Sequence, residues 1–326
     1  MLYRIGLRQQ WSAPVEMGVI LSLIISLVAI SFSPIFIRLS EGELSPYSTI
    51  FNRFWIATVA ISLWNWTSAI LRPQPVPLPK RKPTSYSFKA IALLLSLGTL
   101  LSISLMLWAW SLTQTSVANS AIIHSLTPIF TALWGWLFLR RRIDQKFLIG
   151  MAIAVGGTLV IGFHDLFDTG SHLQGDLGAL LSAALLGAYP WIVEQLKIKM
   201  SSKEIVQACS LVGMVVALPV VLLHGDRLLP DSIEAWFSVL CLAIICQIIG
   251  LGLGAKALKR FSAEFISTCH LLTPVLSSIS AWIIFGEILS VDNWIGFSCV
   301  LGGIYITVLS RSAVKPQETV NSLALE

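Results

Sequence analysis

"SVANSAIIHSLTPIFTALWGWLFLRRRIDQKFLIGMAIAVGG", residues 116–157, has a counterpart later in the same chain, "SAEFISTCHLLTPVLSSISAWIIFGEILSVDNWIGFSCVLGG", residues 262–303. The two align without a gap at a constant offset of 146. His124 falls on His270, Thr127 on Thr273, Pro128 on Pro274, Gly150 on Gly296, and Gly156-Gly157 on Gly302-Gly303. A fixed internal offset is the mark of a chain built from repeated structural units. Each copy sets an imidazole and a proline inside a run that is otherwise apolar, and that combination asks for an explanation.

The surrounding chain supplies the setting. Of its 326 residues 55% are hydrophobic and 12% charged, and the mean hydropathy is +0.79, outside the range of soluble globular domains. Apolar runs of about 20 residues, each long enough as a helix to cross ~30 Å of hydrocarbon, recur along nearly the whole length. The spans read as 17–38, 48–70, 90–111, 116–139, 147–163, 176–196, 204–223, 234–255, 263–285 and 292–310. Lipid offers the backbone no hydrogen-bond partner, and the runs lack the alternation of barrel strands, so they are helices. The chain is expected to be an all-α integral membrane protein. The opening "MLYRIGLRQQWSAPVEMGVILSLIISLVAI" resembles a secretory signal, yet its apolar run continues to Ile37, as an uncleaved first span would.

Basic residues test the count of ten, because cytoplasmic loops hold most of them. Nineteen of the 22 Lys and Arg fall on one side, including Arg4 and Arg8, Lys80 to Lys82, Arg140 to Arg142, Lys197, Lys256 and Lys315. The opposite loops hold Glu41, Glu43, Asp165, Asp168, Asp226, Arg227, Asp231 and Glu287. Ten spans with both termini cytoplasmic follow. The pI near 9.0 then reflects topology, and no nucleic-acid partner is implied. Trp64, Trp66, Trp236 and Trp294 sit where interfacial anchors belong. "RPQPVPLPKRKP", residues 72–83, reads as a polyproline-type linker between spans two and three.

Ten spans in two copies make two five-span halves. Pro34 and Pro190, with Arg38 and Glu194, add a fainter echo between spans one and six. Because five is odd, the second half enters the membrane from the opposite side, the inverted-topology repeat of secondary transporters, which encloses a site near the midplane. The inversion also explains why Arg141 in one copy faces Glu287 in the other. The organisation is a cytoplasmic N-terminus over 1–15, a first repeat over 16–163, an external linker over 164–175, a second repeat over 176–310 and a cytoplasmic tail over 311–326.

Two five-helix units, each with a "x-L-T-P" helix and a "G-x-x-x-x-x-G-G" helix, and with Gly286-Glu287 in the turn of the second, resemble the EamA-type drug/metabolite transporter superfamily. The resemblance covers essentially the whole chain. It implies ten helices as an inverted pair, a central cavity lined chiefly by spans 3, 4, 8 and 9 with help from 1 and 6, and export or exchange of small organic solutes. The chain departs from the pattern at Arg140-Arg141-Arg142, where many members carry "GE" in the first copy too.

The polar groups inside the spans are the candidate site. Pro128 and Pro274 cannot bond the carbonyls of His124 and His270, four residues earlier, and kinks are expected there. Both histidines lie about nine residues into their spans, ~13 Å deep. They read either as a pseudosymmetric pair that contacts substrate or binds a proton, or as hydrogen-bonding glue between helices. Thr127 and Thr273 would bond back to local carbonyls. Trp108, Trp110, Asn119, Tyr189 and Gln247 join the lining set on the resemblance. Arg53 near the outer face either attracts a carboxylate, snorkels, or pairs with Glu41 or Glu43. Glu194 and Glu264 near the cytoplasmic ends of spans six and nine read as proton sites or, for Glu264, as a carboxylate at a helix start.

Other signals are rejected. Cys209, Cys241, Cys246, Cys269 and Cys299 have no metal or redox spacing, and "GLGLGAK", residues 250–256, lacks the strand context of a phosphate loop and reads as close helix packing. No nucleophile elbow, dinucleotide fingerprint or metal pair is found, so neither a cofactor nor a metal is expected. The expectation is a secondary transporter of an amino acid, amine, drug-like compound or other metabolite, working by alternating access with proton coupling through the histidines. The rival readings are a membrane enzyme acting on a lipid or isoprenoid, a sugar-phosphate or nucleotide-sugar exchanger, and a non-transporting sensor. The expected partners are a small-molecule substrate and the bilayer, as monomer or homodimer, in a bacterial inner membrane.

Overall fold

The computed structural model describes residues 17–71, 87–115, 117–161, 173–285 and 289–315, without the side chains of 117–119, 281, 284 and 285. The expectations for 1–15, for the 72–83 linker, for most of the 164–175 linker, for Gly286-Glu287 and for the tail beyond 315 lie outside the described residues.

The described residues are helical almost throughout. Eight helices are long and apolar enough to cross a membrane: Met17–Ser40, Pro46–Leu71, Phe88–Gln114, Ser120–Leu139, Leu173–Leu196, Ser202–His224, Ile233–Ala257 and Val291–Val308. The shorter apolar Gln145–Ile161 supplies span five, and Ala263–Cys269 with Leu272–Phe285 supplies span nine. The ten expected spans are therefore all present. Each carries its own backbone hydrogen bonds, which is what hydrocarbon demands.

How the spans pack follows from the repeat. Span three packs on span six as span eight packs on span one, and span four packs on span six as span nine packs on span one. Spans two and seven pack on each other, as do five and ten, so each of these pairs maps onto itself when the halves are exchanged. The result is an inverted pair related by a pseudo-two-fold axis.

The contact between spans five and ten shows the exchange at atomic detail. A side-chain carbon placed on Gly150 would stand 2.6 Å from the carbonyl of Gly303, and one on Gly303 would stand 2.5 Å from the carbonyl of Gly150. Gly157 and Gly296 repeat the arrangement, each meeting the other's carbonyl at 2.7 Å. Gly150 is the counterpart of Gly296 and Gly157 of Gly303, so each copy's first glycine faces the other copy's last. The glycines let two antiparallel backbones touch, the small-residue solution to helix association in lipid. Gly156 and Gly302, also matched in the alignment, have open space around them.

Span eight departs from a plain α-helix. Leu242–Leu251 winds as a π-helix between Ile233–Cys241 and Gly252–Ala257. Gly250 at the end of this stretch and Gly254 just after it lie against Ile30 and Ser26 of span one, and the Ser26 hydroxyl donates to the Gly250 carbonyl at 2.6 Å. The glycines of "GLGLGAK" thus serve helix packing, as expected.

A side chain at the reciprocal contact must push backbone against backbone. Gly157→Val is expected to lower thermal stability in detergent by about 1–3 kcal/mol or more through overpacking. Gly156→Ala should leave stability unchanged or raise it slightly, since alanine is the better helix former. Equal melting temperatures for Gly157→Val and the native chain would contradict the close contact.

Candidate functional site

Both "LTP" segments interrupt their helices. Val117–His124 stops, two residues turn, and Thr127–Leu139 begins with Pro128 in its first turn, where a missing N–H costs nothing. Ala263–Cys269 and Leu272–Phe285 repeat the break around His270 and Leu271. The expected kinks at Pro128 and Pro274 are thus local interruptions of the helical hydrogen bonding, with Leu126 and His270 still in the right-handed region and each proline in the first turn of the helix that follows. In the first copy the Thr127 hydroxyl donates to the carbonyl of His124 at 2.6 Å; in the second the carbonyl of His270 accepts from the backbone N–H of Thr273 at 2.9 Å. Thr127 therefore bonds back as expected, whereas the buried Thr273 hydroxyl has no hydrogen-bond partner among the described residues.

The breaks border a cavity of about 820 Å³ between the two halves. His124, Thr127, Pro128, His270, Thr273 and Pro274 all line it, as do Trp108, Tyr189 and Arg53. Its mouth lies beside the exposed Arg38 and Glu41, and its far end reaches the buried Leu258 and Ile266. Its size is that of a small-molecule site. Among the lining residues that the sequence did not single out are Ser33 and Ser277. The Ser277 hydroxyl donates to the carbonyl of Ser31 at 2.6 Å, where span one is itself interrupted between Met17–Ser31 and Ser33–Ser40.

His124 is held from two sides. Its ring stacks on Trp108 with centroids 5.1 Å apart, and Nδ1 lies 3.3 Å from the Ser182 hydroxyl. Ser182 is itself fixed, donating to the carbonyl of Ser104 at 2.7 Å across the contact of spans six and three. The indole N–H of Trp108 is buried and has no partner among the described residues.

Arg53 is 4% exposed. Its Nε donates to Gln247 Oε1 at 2.9 Å and its Nη1 to the Ser33 hydroxyl at 3.2 Å. It pairs with neither Glu43 nor Glu41, correcting that expectation, and it does not snorkel. Glu43 is committed elsewhere: the Ser232 hydroxyl and the Asp231 backbone bond its carboxylate and hold it below the usual range, beside the Ser232 cap of the helix that opens span eight. Glu41 is pushed the other way by burial, with Arg38 opposing.

Three expected lining residues are placed elsewhere or left open. Trp110 packs its ring over Gly178 of span six. Gln247 is fully buried behind Arg53, donating from Nε2 to Ser210 at 3.2 Å. Asn119 lies on the Val117–His124 helix, and its side chain is outside the described residues.

Near the Leu258 end of the cavity stands a cluster of charges. Glu194 Oε1 accepts from Arg141 at 3.3 Å and from Lys315 at 3.1 Å. Arg140 ends span four in the left-handed region at φ 51°, turning Arg141 back over the Trp191 ring at 5.5 Å. Lys315 arrives from the segment after span ten, which pairs Val314 with Phe261 in an antiparallel bridge. Its side chain is 5% exposed and donates to the carbonyl of Leu258, the residue at the cavity's far end, at 2.6 Å. Burial depresses the Lys315 ammonium below the usual lysine range, with Glu194 pulling it back up. Glu264 is buried beside this cluster at the start of span nine, where Ser262 caps the helix. Lys315 looked like an orientation charge in the sequence, and nothing local marks it as an ion-pair partner.

Comparison with known proteins agrees with this architecture. Residues 17–163 and 173–309 each match the EamA-like transporter family. An uncharacterized transporter of Bacillus subtilis, YetK, is 28% identical over 60% of this chain and 61% of its own length. An S-adenosylmethionine/S-adenosylhomocysteine transporter of Chlamydia trachomatis is 26% identical over 54% of this chain and 57% of its own, so the chain spans about three fifths of these relatives. A probable amino-acid metabolite efflux pump of Escherichia coli is 27% identical over 60% of this chain and 70% of its own length. One solved crystal structure superposes with a TM-score of 0.72, covering 89% of this chain and 97% of the other at 16% identity, which speaks for the fold alone. With two copies of the family's unit covering nearly all of its length, the chain belongs to the EamA-like transporter family.

Proposed function

We propose that the protein is a secondary transporter that moves a small organic solute across a bacterial plasma membrane by alternating access, with both termini in the cytoplasm. The observation that carries this reading is a cavity between inverted repeats, bounded by two broken helices, with a mouth at one end and a charge cluster beyond the other. Broken helices are tolerated at membrane depth only where they line a cavity or are buried in protein. Transporters and efflux pumps among the relatives support the same class, and the S-adenosylmethionine and amino-acid metabolite transporters favour a small metabolite as cargo.

The distribution of basic residues assigns the two ends. The mouth beside Glu41 faces outward, and the Arg141–Glu194–Lys315 cluster lies at the cytoplasmic end. This conformation is then outward-facing, with the inward path shut by ion pairs that join the first repeat, span six and the tail. Glu194, a proton candidate by sequence, acts here as the centre of that closure. His124 and His270 remain the candidates for proton coupling, since an imidazole can take up a proton and both border the cavity.

Two measurements test this. In proteoliposomes, the His124→Ala/His270→Ala double variant is expected to lose flux or its pH dependence while keeping the native melting temperature. Native rates with an unchanged pH profile would remove the histidines from the mechanism. In a variant free of native cysteines, a cysteine replacing Leu258 should react faster with a cytoplasmic thiol reagent once Lys315→Met is added, by about 10-fold for a shift of about 1.4 kcal/mol. No change in that rate would show that Lys315 does not hold the inward path closed.

A further inference from the structure

The cavity wall holds a cation whose partners are all neutral. Arg53 is nearly excluded from solvent, and guanidinium stays protonated in proteins. Its contacts are an amide oxygen, Gln247 Oε1 at 2.9 Å, and a hydroxyl, Ser33 Oγ at 3.2 Å. Among the described residues no carboxylate forms an ion pair with it. Burying a charge without a counter-ion costs several kcal/mol, which an apolar side chain at the same position would avoid.

The supports around Arg53 fix its orientation. Gln247 is anchored in turn by its donation to Ser210 at 3.2 Å, and it sits in the π-helical stretch of span eight, a kind of irregularity that clusters at functional sites. Gln247 and Ser33 use Nε and one Nη1 donor, and guanidinium has five N–H groups. The same cavity is lined by two more residues with unused buried donors, Trp108 through its indole N–H and Thr273 through its hydroxyl. The wall therefore carries a fixed positive charge, with further unpaired donors buried just behind its surface.

We propose that Arg53 is the docking point for a carboxylate on the transported solute, with its orientation set by Gln247 and Ser33. This rests on the transporter reading and narrows its substrate class. A carboxylate offers two oxygens to the guanidinium fork and one negative charge to balance one cation. His124 and His270 apart, Arg53 and Arg38 are the basic side chains among the described lining residues, and Arg38 stands at the exposed rim beside Glu41. A phosphate dianion would find one buried cation where it needs more, so a monoanionic carboxylate is the better match. Loading such a solute converts an unbalanced buried charge into a bidentate pair, so binding and closure would favour the same species.

The test uses purified full-length protein and a thermal-shift panel of the twenty L-amino acids and S-adenosylhomocysteine. Each is presented as the free carboxylate and as its carboxamide, beside inorganic phosphate. At least one carboxylate should raise the melting temperature, and its carboxamide should not. Arg53→Gln should weaken the binding of that compound by at least about 30-fold, the expected scale for truncating a buried charged partner. Arg53→Lys should weaken it less, since it keeps the charge without the fork. Equal shifts from acid and amide, unaltered binding to a folded Arg53→Gln or Arg53→Lys, a larger shift from phosphate, or silence across the whole panel would each overturn the proposal. Vesicle flux separates the two readings. Flux that ignores Arg53 leaves the transporter standing without the carboxylate dock. Arg53-dependent binding with no flux leaves the dock standing without transport.

Discussion

A peptide group inside a bilayer has no water to bond, so every carbonyl released by a break must be met from within the protein. That constraint decides where the chain can be irregular. The two "LTP" segments break the helices of spans four and nine, and both breaks border the cavity. At the first, the Thr127 hydroxyl satisfies the carbonyl of His124; at the second, the Thr273 backbone N–H takes the equivalent role for His270. The same side chain is thus spent in one copy and left over in the other. Two halves that are alike in sequence are unlike in which buried polar atoms they leave unpaired.

Much of this was legible in the residues. The 146-residue offset disclosed the repeat, the odd number of spans required its inversion, and the charge alternation fixed the count. The histidines, the threonines after them, the prolines, Arg53, Trp108 and Tyr189 all lie on the cavity wall. Rotation about the helix axis was harder to read. Trp108 and Trp110 are two residues apart, about 200° around a helix, so they face opposite ways. One lines the cavity and the other packs on Gly178. Periodicity could not separate them, because a span in lipid is apolar on the faces toward lipid, neighbour and cavity alike. Gln247 failed for a related reason: a glutamine inside a span advertises a polar contact without saying whether it meets solute or, as here, the back of an arginine.

Lys315 was obscured by a coincidence of chemistry. Topology places lysines at cytoplasmic span ends, and an ion pair with a carboxylate such as Glu194 uses the same residue type. Only the fold, which lays the segment after span ten across Phe261 and beneath Leu258, tells the two roles apart. Glu194 gained its meaning the same way, since its partners come from positions 53 residues before it and 121 after it in the chain.

The reciprocal glycines of spans five and ten also bear on how such a molecule can move. When two inverted halves trade conformations, an element on the axis that relates them is exchanged with its own mirror in the partner half, and its contact looks the same before and after. Gly150 against Gly303 and Gly157 against Gly296 form such a contact, with backbone packed directly on backbone. In the alternating access proposed above, spans five and ten would serve as the fixed axle, and the rocking that opens one face and shuts the other would belong to the helices around the cavity.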